Sequence, residues 1–150
     1  MTAAEPIGGG TTKTPVHLWI VGILSLLWNL MGVFDYLASQ LELDFYLSQF
    51  TPEQLEYFNA IPAWAVAAWA FGVWGAFAGS IGLLLRRAWA LWAFAVSIFG
   101  LLFSSIYSFV LSRGVEVMGS GAMVFNGIIW VVAIFLLLYT LAQLRNGVLR

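Results

Sequence analysis

The sequence predicts an all-α integral membrane protein, a four-helix bundle with an outer amphipathic segment between helices 1 and 2. The composition is 62% hydrophobic and only 9% charged, whereas soluble domains average about 25% charged residues. Each of four long uncharged stretches supplies the roughly 20 residues that a helix needs to cross a bilayer. These stretches are Thr14 to Phe34, Tyr57 to Leu85, Ala88 to Ser112 and Val117 to Leu144. We place the membrane helices at residues 16–38, 62–85, 88–111 and 121–144.

The basic residues predict the orientation of these helices. All but one of the six Lys and Arg residues fall on one side of the predicted membrane, and only Arg113 falls on the other. Because basic residues favour the cytoplasmic side, we expect both termini to be cytoplasmic in the cell (inner) membrane. Residues 1–15 then form a flexible cytoplasmic tail, residues 16–144 the four-helix transmembrane domain and residues 145–150 a second cytoplasmic tail.

Several functional classes are disfavoured by composition. The chain has no cysteine and one histidine, so it lacks disulfides, thiolate metal sites and clusters of histidine ligands. A net charge of -1 disfavours nucleic acid as a partner, since binding it needs a dense basic surface. His17 and Asp35 are predicted at opposite membrane faces, too far apart for acid-base catalysis. We therefore expect no enzyme activity, no catalytic residue, no cofactor and no metal.

The first helix has one small and polar face. Gly22, Ser25, Asn29, Gly32 and Tyr36 fall within about 80° of arc, and Trp28 and Asp35 lie beside them. An amide in hydrocarbon needs a partner, so Asn29 either makes interhelical bonds, with Asn126 as one candidate, or lines a vestibule. Asp35 lies about one turn from the outer helix end, where it is either a solvated charge or a functional carboxylate.

The outer segment between the first two membrane helices contains a helix-start signal. Thr51-Pro52-Glu53-Gln54 combines an N-cap, a proline at N1 and a capping-box glutamine at N3. In the helix that follows, Leu55 and Phe58 share one face, and Glu53, Glu56 and Asn59 share another. This division predicts a helix that lies on the outer membrane interface.

The second membrane helix carries a glycine stripe, formed by Gly72, Gly75, Gly79 and Gly82. The spacing from Gly75 to Gly79 is a small-residue packing motif that lets two helices approach closely. The stripe predicts either packing inside the four-helix bundle, which we favour, or a subunit interface.

The third and fourth membrane helices add polar side chains to the same outer half. Ser104, Ser108 and the flanking Tyr107 belong to the third helix, and Asn126 and Trp130 share a stripe on the fourth. Serine hydroxyls serve either as a close-packing surface or as cavity lining. Trp28 and Trp130 lie deep in the membrane, where an indole either packs against apolar neighbours or stacks on a planar ligand.

Several stretches together resemble a group of short bacterial four-helix membrane proteins. They are Leu18-Trp19 to Trp28-Asn29, Gly32 with Asp35-Tyr36, Tyr46 to Phe50 leading into Thr51-Pro52-Glu53-Gln54, and Ile61-Pro62-Ala63-Trp64. Members of that group often carry an automatic label of sugar transporter, without an established activity. The resemblance implies a class of membrane protein and no binding residues.

Two functions follow as expectations. The first is a small multipass membrane protein with a noncatalytic interaction or accessory-subunit role, whose partners are the lipid bilayer and either a homo-oligomer or a larger membrane complex. The second is a transporter or channel component for a small polar, sugar-like solute. In that case Asn29, Asp35, Tyr107 and Asn126, with Trp28 and Trp130, would line an outer vestibule, and four helices would need a homo-oligomer to enclose a pore.

Overall fold

The computed structural model describes residues 14–150, and the described chain is helical and contains no strand. Its helices are α1 (Val16–Gln40), α2 (Asp44–Leu47), α3 (Pro52–Asn59), α4 (Ala63–Leu84), α5 (Ala90–Ile106), α6 (Gly114–Met118) and α7 (Ser120–Arg145). A π-helical turn, Tyr107–Leu111, extends α5. The four segments long and apolar enough to span a membrane are α1, α4, α5 with its π-helical turn, and α7. The predicted fold class is confirmed. Residues 1–13 of the predicted amino-terminal tail lie outside the described part of the chain.

The two ends of the bundle differ in charge. The end that we call the basic end carries the start of α1, the α4–α5 turn and the carboxyl terminus, with Arg86, Arg87, Arg145 and Arg150. The opposite end, called the acidic end, carries α2, α3 and α6, and its only described base, Arg113, is paired with Glu116 at 2.8 Å. Successive long helices therefore run in opposite directions between the two ends, which is an up-and-down topology.

The long helices pack as neighbours in chain order. α1 packs on α4, α4 packs most extensively on α5, and α5 packs on α7. α1 and α7 lie further apart and meet at isolated side chains: the His17 and Tyr139 side chains are 2.5 Å apart, and the Trp28 and Phe125 ring centroids 6.0 Å apart. The bundle is therefore tight on its α4–α5 side and loose on its α1–α7 side.

Glycines allow the close α4–α5 contact. A Cβ added at Gly75 would lie 3.0 Å from the Ala93 carbonyl oxygen, and one added at Gly79 would lie 2.8 Å from the Phe94 ring. At Gly82 a Cβ would meet the Trp89 ring at 2.8 Å, while at Gly72 it would come within 3.4 Å of the Leu101 amide nitrogen. The predicted glycine stripe thus faces α5 of the same chain, so a partner subunit does not need to cover it.

The carboxyl-terminal residues pack onto the basic end. Val148 and Leu149 are 5% and 4% exposed and form one cluster with Leu18 and Leu83. The Arg150 amide donates to the Arg86 carbonyl at 3.0 Å. Within the stretch 145–150, which the sequence predicted as a cytoplasmic tail, two apolar side chains therefore occupy a buried site that charge counting did not reveal.

The acidic end contains the predicted amphipathic helix. In α3, the Thr51 hydroxyl accepts from the Gln54 amide and the Gln54 side chain accepts from the Thr51 amide, so the capping box is confirmed. Leu55 and Phe58 are half-buried, whereas the acidic and amide side chains of the other face are exposed. The Tyr57 and Ser112 hydroxyls are 2.7 Å apart, which ties α3 to the end of the third span.

Candidate functional site

A central cavity of about 710 Å³ lies between α1 and α7. Side chains from all four long helices line it, and residues of the α2 region line it at the acidic end. Small-molecule sites in proteins typically have volumes of about 300–1,000 Å³ and mostly apolar walls with a few polar groups. The cavity fits that description, because most of its lining side chains are apolar and a few are polar. Five of the lining residues were predicted from the sequence as candidate ligand or packing residues. Those predicted residues are Trp28, Asn29, Asp35, Ser104 and Asn126.

Asn29 is held against α4. It is only 8% exposed, and its Nδ2 donates to the Ser80 hydroxyl at 2.7 Å and to the Ala76 carbonyl at 3.1 Å. These two bonds use both amide hydrogens and leave the Asn29 carbonyl oxygen without a partner among residues 14–150. Asn29 therefore makes interhelical hydrogen bonds and also lines the cavity. The sequence had offered these two roles as alternatives.

Asn126 belongs to a separate network on the other side of the cavity. Its Oδ1 accepts from the Ser105 hydroxyl at 3.5 Å, and the Ser105 hydroxyl accepts from Trp130 Nε1 at 3.1 Å. The candidate pairing of Asn126 with Asn29 is therefore wrong. α1 packs on α4 and α7 packs on α5, so the cavity separates the two amides.

The acidic end of the cavity is marked by a carboxylate. Tyr46 Oη donates to Asp35 Oδ1 at 2.5 Å, and both residues line the cavity. Partial burial, together with the neighbouring carboxylate, raises the pKa of the Tyr46 phenol above its ordinary value. The phenol therefore stays a hydrogen-bond donor to Asp35 at physiological pH.

What the cavity can do chemically follows from its free groups. Within the described chain, the Ser104 hydroxyl and the Asn126 amide nitrogen have no hydrogen-bond partner, so both can bind a guest molecule.

Comparison of the chain with protein-family models, curated proteins and solved structures gives no match. Any functional proposal for this chain therefore rests on the geometry of the cavity itself.

Four predicted residues lie away from the cavity. Tyr36 packs edge-on against Trp69 on α4, with ring centroids 5.0 Å apart. Trp130 contacts α5 through Ser105. Tyr107 packs against Trp64 at 5.7 Å, and the Ser108 carbonyl accepts from the Ser112 hydroxyl.

Tyr107 and Ser108 lie in the π-helical turn that follows α5. The prediction of a vestibule containing Tyr107 assumed a regular α-helix up to residue 111, with 100° of rotation per residue. The wider π-helical turn begins at Tyr107 and changes that rotation for the residues that follow it. The Tyr107 ring packs against Tyr57 of α3 and Trp64 of α4 and does not line the cavity, so the vestibule assignment of Tyr107 is corrected.

Some cavity residues were missed at the level of sequence. Phe45, Tyr46 and Gln49 reach the cavity because α2 folds back beside the end of α1. The sequence signal that points to these residues is the aromatic content of an otherwise acidic segment. Aromatic side chains indicate that the segment buries apolar surface, but they do not indicate against which helices. Trp69 of α4 also lines the cavity and was not among the predicted cavity residues.

Proposed function

We propose that this small membrane protein binds a small solute in its central cavity and acts without catalysis, as a transporter or channel component. The observation that carries the proposal is the convergence of polar side chains from α1, α5 and α7 on one cavity of about 710 Å³. A bundle held together only by interlocking polar faces would have no such space. The glycine stripe packs against α5 within the chain, as the favoured interpretation of the sequence expected, so the stripe gives no support to a subunit interface.

The shape of the cavity supports access from one side. At the basic end, Leu18 and Leu83 are fully buried with Val148 and Leu149, and none of these four residues lines the cavity. At the acidic end, Asp35 and Gln49 line the cavity and are exposed. A solute would therefore enter from the acidic end and meet an apolar barrier before the basic end.

The charge distribution supports a cytoplasmic basic end. Four of the five described basic residues lie there, and basic residues favour the cytoplasmic side of a cell membrane. The proposal therefore places both termini in the cytoplasm and opens the cavity to the outside. His17 and Asp35 are 18 positions apart on α1, about 27 Å along a helix, so these two side chains do not form an acid-base pair.

Single introduced cysteines test the cavity directly, since the chain has none of its own. We would compare Ser104→Cys, in the cavity wall, with Val131→Cys, which is 69% exposed on α7 and does not line the cavity. A charged, membrane-impermeant methanethiosulfonate should modify Ser104→Cys when it is added from outside. It should leave Val131→Cys unmodified, because that thiol faces lipid.

The same experiment can refute the proposal. If Ser104→Cys is as unreactive as Val131→Cys, water does not reach the cavity and a solute-binding vestibule is ruled out. Asn59→Cys, exposed on α3, and Arg87→Cys, exposed at the basic end, provide controls for sidedness. Modification of Arg87→Cys from outside the cell would reverse the proposed orientation.

An accessory role is the second candidate, and the exposure of α7 favours it. Only 6% of the apolar window of α7 is buried within the chain, against 28% for α1 and for α4. The free surface could contact lipid alone or a helix of another subunit. Light scattering of the protein in mild detergent distinguishes these cases, since a homo-oligomer or a larger membrane complex would exceed the mass of one chain.

A further inference from the structure

We infer that the central cavity selects an organic cation, a positively charged nitrogen or phosphorus centre carrying apolar groups. This inference rests on the proposed solute-binding function and names its ligand class. It follows from the juxtaposition, at the acidic end of the cavity, of an unneutralised carboxylate with a set of aromatic rings. Neither feature would be sufficient without the other.

The carboxylate is Asp35. It is the only charged side chain that lines the cavity within residues 14–150, and no described Lys or Arg forms an ion pair with it. Arg113, the only described base at this end, is paired with Glu116. Asp35 accepts one hydrogen bond, from Tyr46, which leaves lone pairs on both carboxylate oxygens for a ligand.

The aromatic rings lie in two tiers. Near Asp35, Tyr46 is hydrogen-bonded to the carboxylate, and the Phe34 and Phe45 ring centroids are 6.1 Å apart. About 10 Å deeper along α1, Trp28 and Phe125 lie opposite each other in the cavity wall. All five rings line the cavity, and the face of an aromatic ring attracts a cation that lies within about 6 Å of it.

Other ligand classes fit less well. An anion would meet the Asp35 carboxylate, and the described part of the cavity wall contains no Lys or Arg to compensate that charge. A metal ion such as calcium needs six or more oxygen ligands, and Asp35 is the one carboxylate among the described residues that line the cavity. A neutral sugar carries several hydroxyls that all need partners, whereas the free polar groups of the wall are few and dispersed.

A pair of hydrophobic ions with the same shape and opposite charge tests this inference. Binding of tetraphenylphosphonium and of tetraphenylborate to the full-length protein would be measured by equilibrium dialysis in a nonionic detergent, with empty micelles subtracted. We expect the cation to bind about tenfold more tightly than the anion, as one carboxylate and nearby rings provide. Asp35→Asn should reduce the affinity for the cation about tenfold.

Two further variants separate charge from structure. Asp44→Asn makes the same change on exposed α2, outside the cavity wall, and should leave the cation affinity within about twofold. Tyr46→Phe removes the hydrogen bond to Asp35 but keeps the carboxylate, so the cation should bind at least as tightly as it does to the wild type.

The outcomes distinguish this inference from the proposed function. Equal binding of both ions, or equal losses in Asp35→Asn and Asp44→Asn, would overturn selection of a cation. Either result would leave a solute-binding cavity standing. If neither ion binds to the wild type, the inference is also overturned, and reactivity of Ser104→Cys then decides separately whether the cavity admits water.

Discussion

The close α4–α5 contact predicts that Gly100→Ala destabilises the protein. Gly100 lies on the buried face of α5, opposite α4. A Cβ added there would lie 2.5 Å from the Ala68 carbonyl oxygen and 2.5 Å from the Gly72 amide nitrogen. Both neighbours are backbone atoms, which cannot rotate away as a flexible side chain could.

The required movement sets the magnitude. Ordinary contact begins at 3.4 Å, so at 2.5 Å the helices would have to separate locally by 3.4 - 2.5, or 0.9 Å. A shift of this size loosens packing along the whole α4–α5 interface, including the contacts at Gly75 and Gly79. Overpacking of this kind costs about 1–3 kcal/mol in well-packed proteins. We expect the free energy of unfolding to fall by that amount.

Gly127→Ala provides the matched control. Gly127 lies within α7, and a Cβ there would meet nothing within 4 Å. Both substitutions gain the same helix propensity, up to about 1 kcal/mol in water, so their difference isolates the steric term. Reversible unfolding with SDS in mixed micelles, followed by far-ultraviolet circular dichroism, would measure that difference.

The reasoning would be refuted if Gly100→Ala and Gly127→Ala had the same stability. Such a result would mean that α4 and α5 have freedom to separate, and that the glycines do not set their distance. The stripe would then be free to serve a subunit interface. A loss confined to Gly100→Ala would instead support its use inside the chain.

Three further predictions follow from side-chain contacts. Asn29→Ala should lower the free energy of unfolding by about 0.6–1.7 kcal/mol, the range for hydrogen bonds between membrane helices, as SDS titration would show. Leu149→Ala should cost about 2–5 kcal/mol in the same assay because its side chain is 4% exposed, whereas Leu85→Ala, 61% exposed, should cost less than about 0.5 kcal/mol. The folded state raises the pKa of Tyr46 above its ordinary value near 10. Its contribution to stability should therefore be complete below about pH 10 and decline at higher pH, and Tyr46→Phe should lack that part of the decline in alkaline unfolding curves.

Features encoded in one continuous stretch could be predicted from the sequence. The four spans follow from the lengths of uncharged sequence, and the start of α3 follows from Thr51 and Gln54 three residues apart. In both cases the determining interactions are local, or involve only the bilayer. The polar faces that carry Asn29, Ser104 and Asn126 could also be predicted, since the position of a residue on a face depends only on helical rotation.

Features that depend on which helices are neighbours could not be predicted in this way. A helical wheel shows that Asn29 and Asn126 each occupy a polar face, but not that α1 packs on α4 while α7 packs on α5. The vestibule assignment of Tyr107 failed because a helical wheel does not show that Tyr57 and Trp64 pack against its ring. Tyr46 was missed because the position of a four-residue helix depends on the fold around it.

The cavity itself follows from an unequal distribution of small residues. Glycines are concentrated between α4 and α5, where they let two backbones come into contact. The facing sides of α1 and α7 carry larger groups instead, and Trp28 meets Phe125 before the helix backbones can approach. Four helices of this kind close tightly on one side and leave space on the other. Replacing large side chains on the α1–α7 side with small ones should therefore narrow the gap between these helices, so the bulk of Trp28 helps to hold open the cavity that it lines.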